Sequence, residues 1–150
     1  YKHAKASGIE DEISRKLAFA PHINIGVFSL EKNSKCWEVW QKNLEKTLSK
    51  GKVFGSEGLA INIAVYHDNV PVEFLPLKCN WITSHLLPKY DVQNDTFVEP
   101  YLPNDRIGII HLAAGLWKNN KDMRLNKDIK IELKTLDGKT VDKSLRFGIK

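Results

Sequence analysis

The residues best placed to do chemistry fall at four points of the chain. Glu57 stands in the loop FGSEG, where the following residues are ready to form a helix. Asn80 and Trp81 follow a short apolar run at 70–75 that Pro76 stops, on a loop leaving a strand end. Asn24 and Gly26 interrupt the apolar run HINIGVFSL; an amide there needs its hydrogen bonds made, and a glycine points to a bulge or a close backbone approach. His111 closes the run RIGIIHL, and a small-residue turn containing Gly115 leads from it to Lys118. Loops leaving strand ends form the rim of the ligand crevice in α/β domains. Each residue also has a structural reading: an exposed helix-start glutamate, an amide satisfied by the fold, a strand-end histidine held by its neighbours.

Three further features favour structure over chemistry. The acidic triplet Glu10-Asp11-Glu12 could hold a metal, but it precedes a helical pattern at 13–19, where carboxylates favour the positive end of the helix dipole. Trp37 and Trp40 could be a sugar-stacking platform. With Leu44 and Leu48 they also fall at helical spacing opposite lysines and glutamates, which reads as the core face of a helix. Cys36 and Cys79 are 43 residues apart with no C-x-x-C and no histidine pairing, so free buried thiols in a reducing compartment are expected rather than zinc.

The elements that would position these residues alternate in type. Strands are expected at 22–30, 70–75 and 106–112, sharing one sheet. A helix from Ser34, its cap, to about Lys50 packs on them with Trp37 and Trp40 largely buried, and Gly51 follows as the C′ residue. Ser56 caps a second helix that places Leu59, Ile63 and Tyr66 on one face and ends near 67–69. Residues 82–105 read as a long loop, a length usually kept for function. Two alternating runs at 129–135 and 139–147 meet at Asp137-Gly138, which predicts a hairpin with a type I′ turn. The fold class is thus α/β, a mixed sheet with packed helices plus a C-terminal β-hairpin. Residues 1–118 form the main domain, with 119–150 as a basic extension.

Charge is uneven. The chain of 150 residues carries a net charge of +5, and residues 116–150 hold 10 of the 23 basic side chains against 5 of the 18 acidic ones. Such a tail suits a phosphate, an acidic partner or a membrane surface, or is a solvated face of alternating strands. No nucleic-acid signature accompanies it, so no nucleic-acid partner is expected. No apolar run approaches the roughly 18 residues of a membrane span. A cytoplasmic location is expected, with surface association through the tail left open. The chain begins at Tyr1 rather than Met and reads as part of a longer protein.

Taken in order, these segments resemble a known family. INIGVFSLEKNSKCWEVWQK resembles the N-A-G-V strand and Trp-bearing helix of GT-A-fold glycosyltransferases of the family 8 type. FGSEGLAIN is similar to their D-Q-x-x-L-N segment, LPLKCNW to L-P-x-x-Y-N, and IIHLAAGLWK to H-x-x-G-x-x-K. The resemblance covers residues 22–118. It implies the C-terminal, acceptor-side half of a nucleotide-diphospho-sugar transferase fold. The activity implied is metal-dependent transfer of a hexose from a nucleotide sugar to a glycan or lipid-linked acceptor. It gives His111 to Mn2+ or Mg2+, Lys118 to the donor diphosphate, and Gly115 to close backbone approach. Glu57 becomes the catalytic carboxylate, and Asn24, Gly26 and Asn80 line the sugar sites. This sequence has Gly58 for the family's glutamine, Cys79 for its tyrosine, one extra residue between His111 and Gly115, and Asn119 after the lysine. It contains no Asp-x-Asp; in the family that motif precedes the N-A-G-V strand, so it is expected before Tyr1, and these residues alone are expected to be inactive. The competing expectation is a non-catalytic carbohydrate- or protein-binding α/β domain.

Overall fold

Helices gather where the sequence is apolar at helical spacing, and strands gather after Pro76. The computed structural model describes residues 2–112 and 129–146. In chain order these hold α1 (Lys2–Ala6), α2 (Asp11–Phe19), α3 (Cys36–Lys50), α4 (Ser56–Tyr66), a 3-10 turn (Leu77–Cys79) and six short strands. The strands are β1 (Trp81–Ile82), β2 (Lys89–Asp91), β3 (Thr96–Val98), β4 (Ile110–His111), β5 (Ile131–Lys134) and β6 (Thr140–Lys143). The chain divides into two compact units, Tyr1–Phe74 and Leu75–Lys150, the first helical and the second built of strands. The fold is mixed α and β with small sheets. Among the described residues no helix is long and apolar enough to cross a membrane.

The first unit is organised around α4, whose apolar residues point both ways. Leu59 and Ile63 pack with Ala4, Ile9 and Ile13 of the N-terminal helices and their loop. Ile61 and Ala64 pack with Cys36, Val39 and Trp40 of α3 and with Ile25, Leu30 and Val70. A helix apolar on more than one side must be enclosed, and α4 is. Its start is not capped as the sequence suggested. Gly55 sits in the left-handed region at φ 88°, and the buried Ser56 hydroxyl donates back to Lys52 O at 2.5 Å instead of capping the helix. On α2 the acidic triplet does stand at the helix start, but the partners the structure gives its carboxylates are lysines. Glu10 pairs with Lys46 and Asp11 with Lys5, and those lysines hold both carboxyls below their usual range.

Helix α3 buries a different stripe from the expected one. The N-cap is Lys35 rather than the expected Ser34, and it makes no side-chain cap; Ser34, one residue earlier, accepts from Cys36 N–H through its hydroxyl at 3.2 Å. The buried side chains are then Cys36, Asn43 and Thr47, while Trp37 is 43% exposed, Leu48 39% exposed and Trp40 half-buried. Two polar residues take core positions because each finds a partner: Asn43 donates to Asp68 at 2.6 Å and Thr47 to Leu44 O at 3.0 Å. Gly51 ends the helix in an extended conformation rather than a left-handed one. A Cβ there would lie 2.4 Å from Thr47 O, so glycine is required for closeness.

Two expected strands are absent for backbone reasons. In 22–30, the Ile23 N–H and C=O are both taken by the Asn62 side chain, and Gly26 N–H is taken by Asn24 Oδ1 at 2.8 Å. A segment whose main-chain groups bond to side chains has no ladder to offer. In 70–75, Pro71 lacks a donor and Val70 N–H closes the end of α4 on Ala64 O at 3.0 Å; Val72, Phe74 and Leu75 are exposed. Among the described residues the expected single sheet is therefore replaced by three two-stranded pieces, β1–β4, β2–β3 and β5–β6.

The second unit draws these pieces around Leu133 and Leu145, with Phe97, Ile110, Leu112, Ile131 and Val141 packed against them. Residues 106–112 are a strand only at their end: Arg106 bridges Val98, and the chain then crosses to pair with β1. Residues 82–105 are not one loop. Their antiparallel hairpin β2–β3 turns where Asp91 Oδ1 accepts from Gln93 and Asn94 N–H and Asp95 adopts φ 48°. The β5–β6 hairpin forms as expected, but not with a type I′ turn. Of its two central residues only Gly138 is left-handed, at φ 85°, and Gly138 N–H donates to Thr135 O while Thr135 N–H donates to Lys139 O. That is a three-residue loop with a bulge at glycine. The outward lysines, Lys130, Lys134 and Lys139, are exposed, whereas Lys143 lies over the Tyr90 ring at 4.3 Å.

Asp137 makes this turn sensitive to acid. The Thr135 hydroxyl, and then Lys139, hold its carboxyl down at about 2. An aspartate depressed on folding contributes stability that is full above its unfolded value of about 3.9 and lost as pH falls through the folded one. Protection of the β5 and β6 amides, taken against the intrinsic exchange rate at each pH, should therefore fall between about pH 4 and pH 2, and Asp137→Asn should flatten that dependence. Titration of the Asp137 carboxyl near 4 by NMR would refute the assignment.

Candidate functional site

Among the described residues, the parallel pairing of β1 with β4 frames a place where two of the sequence-chosen residues from distant segments, Asn80 and His111, meet. Trp81 is registered with Ile110 and Ile82 with His111. The ladder runs on at both ends, Trp81 N–H donating to Ile109 O at 2.9 Å and Thr83 N–H to His111 O at 3.2 Å. Trp81 anchors the strand by burial, its indole N–H satisfied by Leu86 O at 2.8 Å. Just upstream, the 3-10 turn after Pro76 is tied to the segment entering β4. Lys78 O accepts from Gly108 N–H at 2.8 Å, and Lys78 Nζ lies 2.7 Å from Asp105 Oδ2. Asp105 raises the Lys78 ammonium above its ordinary value; the pair is exposed, so its worth is positional.

These constraints bring Asn80 Oδ1 to 3.0 Å from His111 Nδ1. With Asn80 Oδ1 as the acceptor, Nδ1 is the donor, and in the neutral form of the ring that tautomer carries its lone pair on Nε2. The His111 carbonyl is held as well, by the hydroxyl of the buried Thr83 at 3.2 Å. A histidine oriented through its second nitrogen is what metal coordination uses. His111 fits as one ligand. Among the described residues no group of three or more His, Cys, Asp and Glu side chains is gathered.

The other chosen residues have these places. Glu57 is exposed in the first turn of α4, and its carbonyl accepts from Trp40 Nε1 at 3.1 Å. Asn24 and Gly26 are exposed and joined by their own Asx turn, beside a segment that Asn62 ties to Gly58. These three lie in the first unit, Asn80 and His111 in the second. Gly115 and Lys118 lie outside the described residues. Cys36 is buried, which pushes its thiol up, and Cys79 is half-buried; both are free. Sequence reasoning passed over Thr83, Lys78 and Asp105. Nothing in the spacing of Lys78 and Asp105 signalled a contact, although a threonine two residues after Trp81 falls on the same strand face.

No family model matches the chain, and no curated protein or solved structure does either.

Proposed function

We propose that this chain is the acceptor-side half of a nucleotide-sugar-dependent hexosyltransferase of the GT-A type, extended by its basic hairpin. It would act on a glycan or lipid-linked acceptor. The observation that supports this reading is the Asn80–His111 hydrogen bond. Two segments singled out separately for resembling the family's motifs lie side by side on parallel strands, with the histidine ring oriented and Nε2 left to ligate. In this reading His111 holds Mn2+ or Mg2+, which would offset charge on the departing diphosphate. Asn80 fixes the ring, and Thr83 fixes the backbone that carries it. Lys118 and Gly115 meet the diphosphate; Glu57 is the catalytic carboxylate and Asn24 and Gly26 contact sugar, by resemblance alone. The outward lysines of the hairpin give a membrane surface or an acidic partner a place to bind.

A second reading, a carbohydrate- or protein-binding domain without catalysis, is favoured by the fold of 22–30. That segment makes an Asx turn rather than the strand the family carries.

The test uses the protein expressed from its full reading frame. A panel of nucleotide sugars with manganese is titrated by calorimetry and assayed for turnover, wild type against His111→Ala. Loss of an oriented ligand should lower affinity or activity by about 10–100-fold or more with the circular dichroism unchanged. Equal turnover by the variant removes His111 from the site. Failure of the wild type to bind any donor leaves the second reading ahead.

A further inference from the structure

We propose that Asp137-Gly138 is the chain's site of spontaneous isoaspartate formation, and that Thr135 and Lys139 hold the folded hairpin closed to that reaction. Of all the aspartates and asparagines in the sequence, only Asp137 is followed by glycine. The reaction is intramolecular. The Gly138 backbone nitrogen attacks the Asp137 side-chain carbon in its neutral acid form. A C–N bond forms, the carboxyl C–OH bond breaks, and the hydroxyl leaves with the amide proton as water. A second water then opens the five-membered imide. Opened at the former main-chain carbonyl, it leaves Gly138 joined through the Asp137 side chain, with one more carbon in the main chain. A bulky following residue would impede the attack, and here there is none: even a Cβ built on Gly138 would meet nothing within 4 Å. The Asp137 side chain is itself 57% exposed, so water reaches the imide.

The folded turn commits both reacting groups elsewhere. Gly138 N–H donates to Thr135 O at 3.1 Å. The Asp137 carboxylate takes the Thr135 hydroxyl and the Lys139 N–H on Oδ1, the latter at 3.4 Å, and its Oδ2 lies 3.0 Å from Lys139 Nζ. These contacts also keep the carboxyl ionised, which is its unreactive form. The ammonium is exposed and its ion pair contributes little. Thr135 is the firmer hold: it is 3% exposed, and its hydroxyl also lies 3.0 Å from Lys139 O across the loop. Closing the imide ring breaks both the Gly138 N–H bond and the carboxylate contacts, so the reaction runs through the opened hairpin, as often as it opens. Its product has a longer loop between the Lys134–Thr140 pair, and the length of that loop is what fixes the β5–β6 register. The chemistry is independent of sugar transfer and needs neither donor nor metal.

The experiment ages the protein at mildly acidic pH, natively and in concentrated urea, and measures isoaspartate at every aspartate by peptide mapping. Asp137 should isomerise first in urea, and at least about tenfold more slowly in the folded protein, because the turn opens only part of the time. Thr135→Val keeps the shape and removes the hydroxyl. It should isomerise at least about fivefold faster than the folded wild type, after correction for any loss of protection at the Gly138 amide. Thr135→Ser keeps the hydroxyl and should stay within about twofold of wild type. Equal rates in the folded and unfolded protein overturn the proposal, as does isoaspartate that gathers first at another aspartate. So does a Thr135→Val rate that its loss of amide protection explains in full.

Discussion

Ile63→Ala should destabilise the first unit by about 2–5 kcal/mol, the range for removing a large aliphatic side chain from a core that cannot collapse around the gap. Ile63 is 1% exposed and lies in α4 where Ala4, Ile9, Ile13 and Leu59 converge on it, with Leu17 alongside. Its neighbours come from two further helices and the loop between them, so no single shift refills the space. Against a total of about 5–15 kcal/mol for a domain, such a loss is large. Urea unfolding followed by indole fluorescence should show a lower midpoint with little change of slope. Ile63→Val, which removes one methylene, should cost about 0.5–1.5 kcal/mol. A loss below about 1 kcal/mol for the alanine variant would mean that α4 is not the centre of this core.

The helix α4 and the burial of Leu59 and Ile63 on it were legible in the sequence, but the sequence reading gave it one apolar face where the fold encloses it on two. The run GLAINIAVY is apolar at almost every position, and such a helix has to be enclosed wherever it lies. The β5–β6 hairpin was legible for a similar local reason, since Asp-Gly turns a chain whatever follows. What the residues alone could not settle was competition for partners. On α3, Trp37-Trp40-Leu44-Leu48 is the more apolar stripe, yet the fold buries Cys36-Asn43-Thr47 because Asp68 and the Leu44 carbonyl satisfy the two polar groups. An amphipathic pattern ranks faces by hydrophobicity, and a polar residue with a partner outranks its own transfer cost.

The candidate site shows the same division. Asn80 and His111 could each be picked out, one after a strand-stopping proline and the other at the end of an apolar run. Their contact joins residues 31 apart and depends on β1 and β4 pairing in parallel with a hairpin between them. Pairing of that kind leaves no local trace in two-residue strands. The same is true of Lys78 and Asp105, which close the turn before Asn80 from opposite ends of the hairpin. Strand expectations failed where a proline or a side-chain amide removed the ladder. Pro71 was visible in 70–75; the amide that disables 22–30 comes from Asn62, which is 39 residues from Ile23.

Asn62→Leu should therefore cost about 2–4 kcal/mol, although the replacement is apolar, buried and of similar size. The Asn62 carboxamide, 4% exposed, accepts from Ile23 N–H at 3.0 Å and donates to Ile23 O at 3.2 Å and to Gly58 O at 2.7 Å. It meets Ile23 as a neighbouring strand would, with one donor and one acceptor. Leucine keeps the volume and strands both backbone groups; a buried group left without its partner costs about 1–3 kcal/mol, and Ile23 is half-buried, which lets water recover part of it. Asn62→Asp separates the two halves of the effect. A carboxylate still accepts from Ile23 N–H, but it cannot donate to Ile23 O or Gly58 O, so it should also destabilise at neutral pH and recover as acid protonates it. The measurement is hydrogen exchange of the Ile23 amide together with global urea unfolding. In Asn62→Leu that amide should exchange at least about tenfold faster than in wild type, beyond any change shared by the rest of the unit. Unchanged Ile23 protection would mean that something other than Asn62 holds the segment to α4.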